Sequence, residues 1–187
     1  MSDHGSSPSQ PQQKEQPQEQ PEYYRVLIPE LDTVAPDPLD PDKRYHVGIF
    51  VETNPEDDAG IMFHVTGDII AASGMRYEER RGFTLDQSAR LHKATHIGWV
   101  RKADCEFGNI GTILRALPKP TKQQGINFWE ADPVTGNHEI VWTKENGELY
   151  GPGEERRPVF KCNEWTSQYA VPALRNAELL RLDLNLH

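Results

Sequence analysis

The sequence predicts an α+β fold, an antiparallel sheet of about four to five strands packed against helices, and three stretches carry that expectation. Residues 44–52, RYHVGIFVE, alternate Tyr45, Val47, Ile49 and Val51 with His46, Gly48 and Phe50, the period of two of a half-covered strand. Residues 61–66, IMFHVT, alternate in the same way after the polar link TNPEDDAG, so the two runs predict an antiparallel hairpin. The segment DCEFGNIGTILRALPKP sets Phe107, Ile110, Ile113, Leu114 and Leu117 at helical spacing and stops at Pro118, which predicts a helix over about 105–117.

The remaining elements follow in chain order. Residues 1–22, MSDHGSSPSQPQQKEQPQEQPE, have no aliphatic residue after Met1 and cannot bury enough apolar area to offset ordering entropy, so a disordered tail is expected there. A single α+β domain is expected over 23–187. It begins with YYRVLIPEL, a short strand closed by Pro29, followed by the Asp/Pro-rich loop APDPLDPDK. Further strands are expected around AASGMRYEER and at ATHIGWVRK. Residues 119–159 hold turn signals and one strand-like piece, HEIVWT, and read as a variable insertion that a hairpin would suit. From Asn163 to about Leu182 the chain is expected to be helical, with Trp165, Tyr169, Ala173 and Ala177 in line and a restart at Pro172.

Composition removes whole classes of function. The formal net charge of -9 over 187 residues leaves no Lys/Arg stripe to displace counterions, so nucleic acid is not an expected partner. No basic start precedes an apolar run, and no stretch nears the roughly 20 apolar residues that span a bilayer. A cytoplasmic protein with no membrane partner is therefore expected. Without a spaced cysteine framework, the two cysteines, Cys105 and Cys162, read as free thiols.

Cys162 stands out because it opens the last helix, where unpaired amides and the helix dipole favour a thiolate. A thiol nucleophile also needs a base, usually histidine, and a third polar group to orient it. The hairpin offers two histidines. A loop centred near residue 56 sets His64 opposite Gly48 and His46 opposite Thr66, so both imidazoles fall on one face, a diagonal step apart. Gly48 between them would let another backbone, such as the Cys162 turn, approach closely.

A strand with YHVGIF, a second with FHVTG and a later KCNEW opening a helix resemble the circularly permuted papain-like fold. That fold occurs in PPPDE deubiquitinating-type peptidases and in relatives of lecithin retinol acyltransferase; NlpC-type peptidases share the core in another order. The span from Tyr23 to about Leu182 is also similar to a group of small fungal proteins of unknown function. The papain-like resemblance implies Cys162 as nucleophile, His46 as general base and His64 as orienter. It implies an oxyanion hole from the Cys162 amide and a donor such as Tyr23 or Tyr24, with Gly48 and Asn163 in support. Two departures accompany it: Lys161 stands where many members have Asn, and the loop between the histidines is longer than in the acyltransferases. The apolar membrane-engaging segment of the acyltransferases is missing.

Each residue also has a plainer reading. Cys162 could be a small buried residue at a helix start, and the histidines hydrogen-bonded structural groups. His96, in THIGWV, rivals His64. Cys105 reads as core filler. His46, His64 and Cys162 could together hold a zinc ion, but no close-spaced ligand pair supports that, and no metal or organic cofactor is expected. The charged EERR runs and the Asp57–Asp58 pair read as solvated faces and a turn. Two functions remain: a thiol-dependent hydrolase or acyl-transfer enzyme acting on an amide, isopeptide or thioester of a small molecule or peptide, or a non-catalytic interaction module.

Overall fold

The computed structural model describes residues 22–184 apart from 34, 35, 41, 86 and 87. The expected tail, except for Glu22, lies outside the described residues. The rest is a mixed α+β fold built on a six-stranded antiparallel sheet with a separate two-stranded one.

At the middle of the large sheet is β1 (Tyr23–Leu31), which pairs along one edge with β6 (Leu91–Arg101). Its other edge pairs with β2 (His46–Val47) and β3 (Ile49–Asn54), and β4 (Ala59–Thr66) and β5 (Arg76–Thr84) continue the sheet outward. Contrary to expectation, Pro29 does not close β1. The pairs with β2 and β3 share one register, in which Pro29 stands opposite Gly48. Proline has no N–H for the ladder, and the partner strand is divided into β2 and β3 at that point.

β5 and β6 lie at opposite ends of this order yet are joined by only residues 85–90. In a flat sheet four strand spacings would separate them by roughly 19 Å. The link is contracted by turns, with Ser88 N–H on the Leu85 carbonyl and Leu91 N–H on the Ser88 carbonyl. The sheet is therefore curled, with Leu27, Phe50, Met62 and Leu85 packed together as a small core on one face. The opposite face carries the main core, where Val26, Val47, Ile49, Val51, Phe63 and Val65 meet the helices.

The helix expected over 105–117 is two: α1 (Lys102–Glu106) and α2 (Asn109–Ala116). Gly108, at φ 78°, turns the chain between them in a conformation that glycine adopts without strain. Phe107, expected inside, is 82% exposed beside this turn, while Ile110 and Leu114 enter the core. The insertion holds the hairpin β7 (Gln124–Ala131) and β8 (His138–Trp142).

The last helix is α3 (Cys162–Glu164), a π-helical stretch (Trp165–Ala170) and α4 (Val171–Asn176). Pro172 has no N–H for the Gln168 carbonyl four residues back, and the wider π turn accommodates the missing bond. That turn shifts the buried line to Trp165, Ala170, Val171 and Leu174 and leaves Tyr169 at the surface. The helix ends at Asn176 rather than near Leu182. Beyond it the Leu179 and Leu180 amides return to the Leu174 carbonyl, and Arg181 pairs with Trp99 at the edge of β6.

Candidate functional site

The hairpin register decides where the histidines point. Ile49 pairs with Phe63 and Val51 with Ile61, so the same register sets His64 opposite Gly48. A Cβ on Gly48 would meet His64 Cβ, Met62 Cε and the Phe63 carbonyl at 2.7 Å each. The glycine makes room for the β4 side chains rather than, as expected, for the Cys162 turn. His46 Nε2 lies 2.7 Å from His64 Nδ1, with the rings edge to face. One nitrogen donates and the other accepts, so the contact suits a neutral pair.

Burial is the largest cause holding both imidazoles well below their ordinary value, to about 4 each. His64 and Arg90 add to the depression at His46, and Arg80 and Arg76 to that at His64. Because the unfolded value is about 6.5, protonation favours the unfolded chain. The resulting stability is complete above about pH 6.5 and is lost as pH falls from there towards 4. Urea unfolding midpoints of wild type should drop between pH 7 and 5, and His64→Gln should show a clearly shallower drop. Parallel pH profiles would contradict this account.

Cys162 is placed differently. The β4–β5 register puts His64 opposite Glu78 and Met62 opposite Arg80, on the face of the small core. Cys162 instead belongs to the main core with Val47, Ile49 and Trp165, on the face where the helices pack. It is 8% exposed. Its Sγ lies 3.6 Å from Asn163 Oδ1 and 4.0 Å from the Tyr45 carbonyl, and it forms no hydrogen bond to His46 or His64. Burial pushes the thiol pKa up and outweighs the opposing Val47 amide.

The structure thus brings the two histidines together, and Asn163 to the thiol, without joining the two groups. Tyr23 lies beneath the Arg181 guanidinium, the Tyr24 hydroxyl donates to Glu106 Oε1 at 3.4 Å, and neither phenol hydrogen-bonds Cys162. His96 stacks edge to face on Trp99 in β6. Cys105 is buried, with its thiol pushed up to about 11 by burial first. Among the described residues no group of three or more His, Cys, Asp and Glu is arranged to hold a metal ion.

Two cavities flank this region, and His46 lines both. The larger, about 780 Å³, lies between the loop 32–45, the start of α3 and the chain after β4. Tyr45, Ile69, Ile70, Met75 and Ile140 give it apolar walls, and Cys162 is part of its lining. Its rim is strongly ionic. Lys161 pairs with Asp37, whose carboxylate also accepts from Gln124 Nε2 at 2.9 Å. Arg44 pairs with Asp40 and reaches Glu164 Oε1 at 2.6 Å, while Glu164 Oε2 accepts the Lys161 N–H at 2.9 Å. Burial alone would raise the Asp37 pKa, but Lys161, the Leu39 amide and Gln124 outweigh it and hold it below the usual value.

Sequence reasoning missed this ionic strap, because its members come from distant segments and no local pattern pairs Asp37 with Lys161 or Arg44 with Glu164. It also read the first EERR run as a solvated face. Glu78 and Arg80 line the smaller cavity, while Glu79 accepts from Tyr77 and Arg115 on the other face. The β4–β5 pairing was the signal that could have found them, since it aligns residues 76, 78 and 80 with 66, 64 and 62.

Residues 35–181 match the profile of a family of unknown function, DUF6540. No curated protein and no solved structure matches the chain. Among the described residues no helix is long and apolar enough to cross a membrane.

Proposed function

The chain belongs to the DUF6540 family of unknown function, and on that premise we propose that it is a non-catalytic binding module whose larger cavity takes an amphipathic ligand bearing a basic group. The observation that carries this reading is the position of the Cys162 thiol, buried in the main core and hydrogen-bonded to neither imidazole, while His46 is engaged by His64. A nucleophilic thiol needs a base within hydrogen-bond reach and a low pKa, and burial works against the second.

The ligand class follows from the lining. A cavity of about 780 Å³ suits a small organic molecule or a short chain segment. Its cations are each engaged, Lys43 by Asp32, Arg44 by Asp40 and Glu164, and Lys161 by Asp37. Asp42 and Asp68 have no cation partner among the described residues, so the rim carries an excess of negative charge over an apolar interior. n-Octylamine should therefore shift the methyl resonances of Ile69, Ile140 and Met75, and octanoate should bind at least about tenfold more weakly, about 1.4 kcal/mol. Ile140→Trp, which adds bulk to the lining from a partly exposed position, should abolish the shifts at Ile69 and Met75. Equal or tighter binding of octanoate would contradict the reading.

A second reading, thiol-dependent acyl transfer on a permuted papain-like core, is favoured by one observation. Cys162 and His46 both line the larger cavity. In that reading His46 draws the proton from Cys162, the thiolate attacks an amide or thioester carbonyl, the amine or thiol is expelled and takes the proton from His46, and water or an amine resolves the acyl-enzyme. It requires the His46 ring to leave His64 and reach the thiol. Site-resolved alkylation of Cys162 separates the two readings.

A further inference from the structure

The smaller cavity, about 420 Å³, lies on the side of the sheet away from Cys162. Its floor is His46, His64, Thr66, Leu31, Met62 and Phe83, and its rim carries Arg76, Arg80 and Arg90. Their positions follow from strand pairing: Arg76 stands opposite Thr66 and Arg80 opposite Met62, two residues either side of Glu78, which stands opposite His64. Arg90 comes from the link that closes the curl, where its carbonyl accepts the Asp32 amide.

Three facts make this a built site rather than a charged surface. His64 is 8% exposed, and its Nε2 is buried with no hydrogen-bond partner while its Nδ1 is used by His46. A buried polar atom left unpaired is costly and rare in folded proteins. Secondly, Arg80 and Arg90 have no carboxylate partner among the described residues; Arg80 lies over the Phe83 ring. Thirdly, the acids present do not cancel the cations. Asp32 is held by Lys43, and Glu78 lies 3.5 Å from Arg76 and 4.0 Å from His64 Nε2, too far to satisfy that nitrogen.

We propose that this cavity binds the phosphate group of a small organic phosphate monoester, with Arg80, Arg90 and His64 Nε2 as its donors and the carbon skeleton against the partly exposed Phe83 ring. Guanidinium groups match a tetrahedral oxyanion through paired N–H donors, and the low-dielectric floor strengthens each contact. The partly exposed Phe83 ring favours an ester over the free ion. The site shares Asp32, Thr33 and His46 with the larger cavity but none of its proposed donors, and the binding it predicts holds whether or not Cys162 is reactive.

Filling the site also weakens one cause of the low imidazole pKa values, the guanidinium field. The groups facing His64 are Arg76, Glu78 and Arg80 from β5 and His46 from β2, with Arg90 and Asp32 at the rim. A dianion beside Nε2 offsets the guanidinium field that disfavours the imidazolium.

The experiment is a titration of the whole protein with phenyl phosphate, inorganic phosphate and benzoate, followed through the imidazole resonances of His64. Phenyl phosphate should bind in the micromolar to low millimolar range. It should raise the His64 titration midpoint and bind at least about tenfold more tightly than either control. Arg80→Gln with Arg90→Gln, both on exposed side chains, should weaken it at least about tenfold while the circular dichroism spectrum and urea midpoint stay unchanged. Inorganic phosphate binding as tightly as the ester would overturn the assignment of Phe83 to the carbon skeleton. Benzoate binding as tightly would overturn the phosphate assignment. No response of His64, or an unchanged affinity in the double variant, would overturn the site.

Discussion

Replacing Trp165 with alanine should lower the unfolding free energy by about 3 kcal/mol, near the lower end of the range for a buried tryptophan. Trp165 is fully buried in the first turn of the π stretch and packs against Tyr77 of β5, with ring centroids 6.0 Å apart. It ties the last helix to the outer strand of the sheet, so its loss opens a cavity between two elements that have few other ways to collapse together. The lower end is expected because Trp165 Nε1 is buried without a hydrogen-bond partner, a penalty that truncation removes. Trp165→Phe keeps most of the apolar contact and sheds the same penalty, so it should cost distinctly less. Urea unfolding of the two variants measures both. A loss below about 1 kcal/mol for the alanine variant would mean that the helix is not anchored through this ring.

The legible part of this protein was the part fixed by alternation. The run from Tyr45 to Val51 and the run from Ile61 to Thr66 have strict period two and a short polar link, and that combination determines which residues face each other. It placed His46 and His64 on one sheet face. The same alternation, read one step further, separates them from the helix-facing core to which Cys162 belongs, because Val47 and Ile49 take the opposite parity to His46. The expected constellation joined residues by chemical role, whereas parity sets the imidazoles off from the helix-facing core and leaves His46 and Cys162 sharing a cavity lining without a hydrogen bond.

Other features were hidden for local reasons. Helical spacing ran through Gly108 because apolar residues lie on both sides of it, yet its left-handed backbone divides the segment into α1 and α2. The π turn before Pro172 changed which residues of the last helix are buried, a shift that a period of 3.6 does not anticipate. Pro29 was read as a stop, but a strand tolerates proline where its partner is also interrupted, as it is at Gly48. The cavity rims were the least legible, since Arg44, Asp37, Glu164 and Lys161 meet only through tertiary structure.

The central claim is that Cys162 is a structural thiol and that the protein acts by binding. The measurement that tests it most directly is the pH dependence of iodoacetamide alkylation at Cys162, resolved by mass spectrometry, in wild type and His46→Ala. Cys105 serves as the internal buried control. With the thiol pKa pushed up by burial and no imidazole bonded to it, the rate at pH 7 should be at least about tenfold below that of a free thiol of pKa near 8.5. It should rise only at higher pH, and His46→Ala should change it by less than about twofold. Alkylation that is rapid well below pH 8.5 and lost in His46→Ala would show a working thiolate–imidazole couple and contradict the binding-module account.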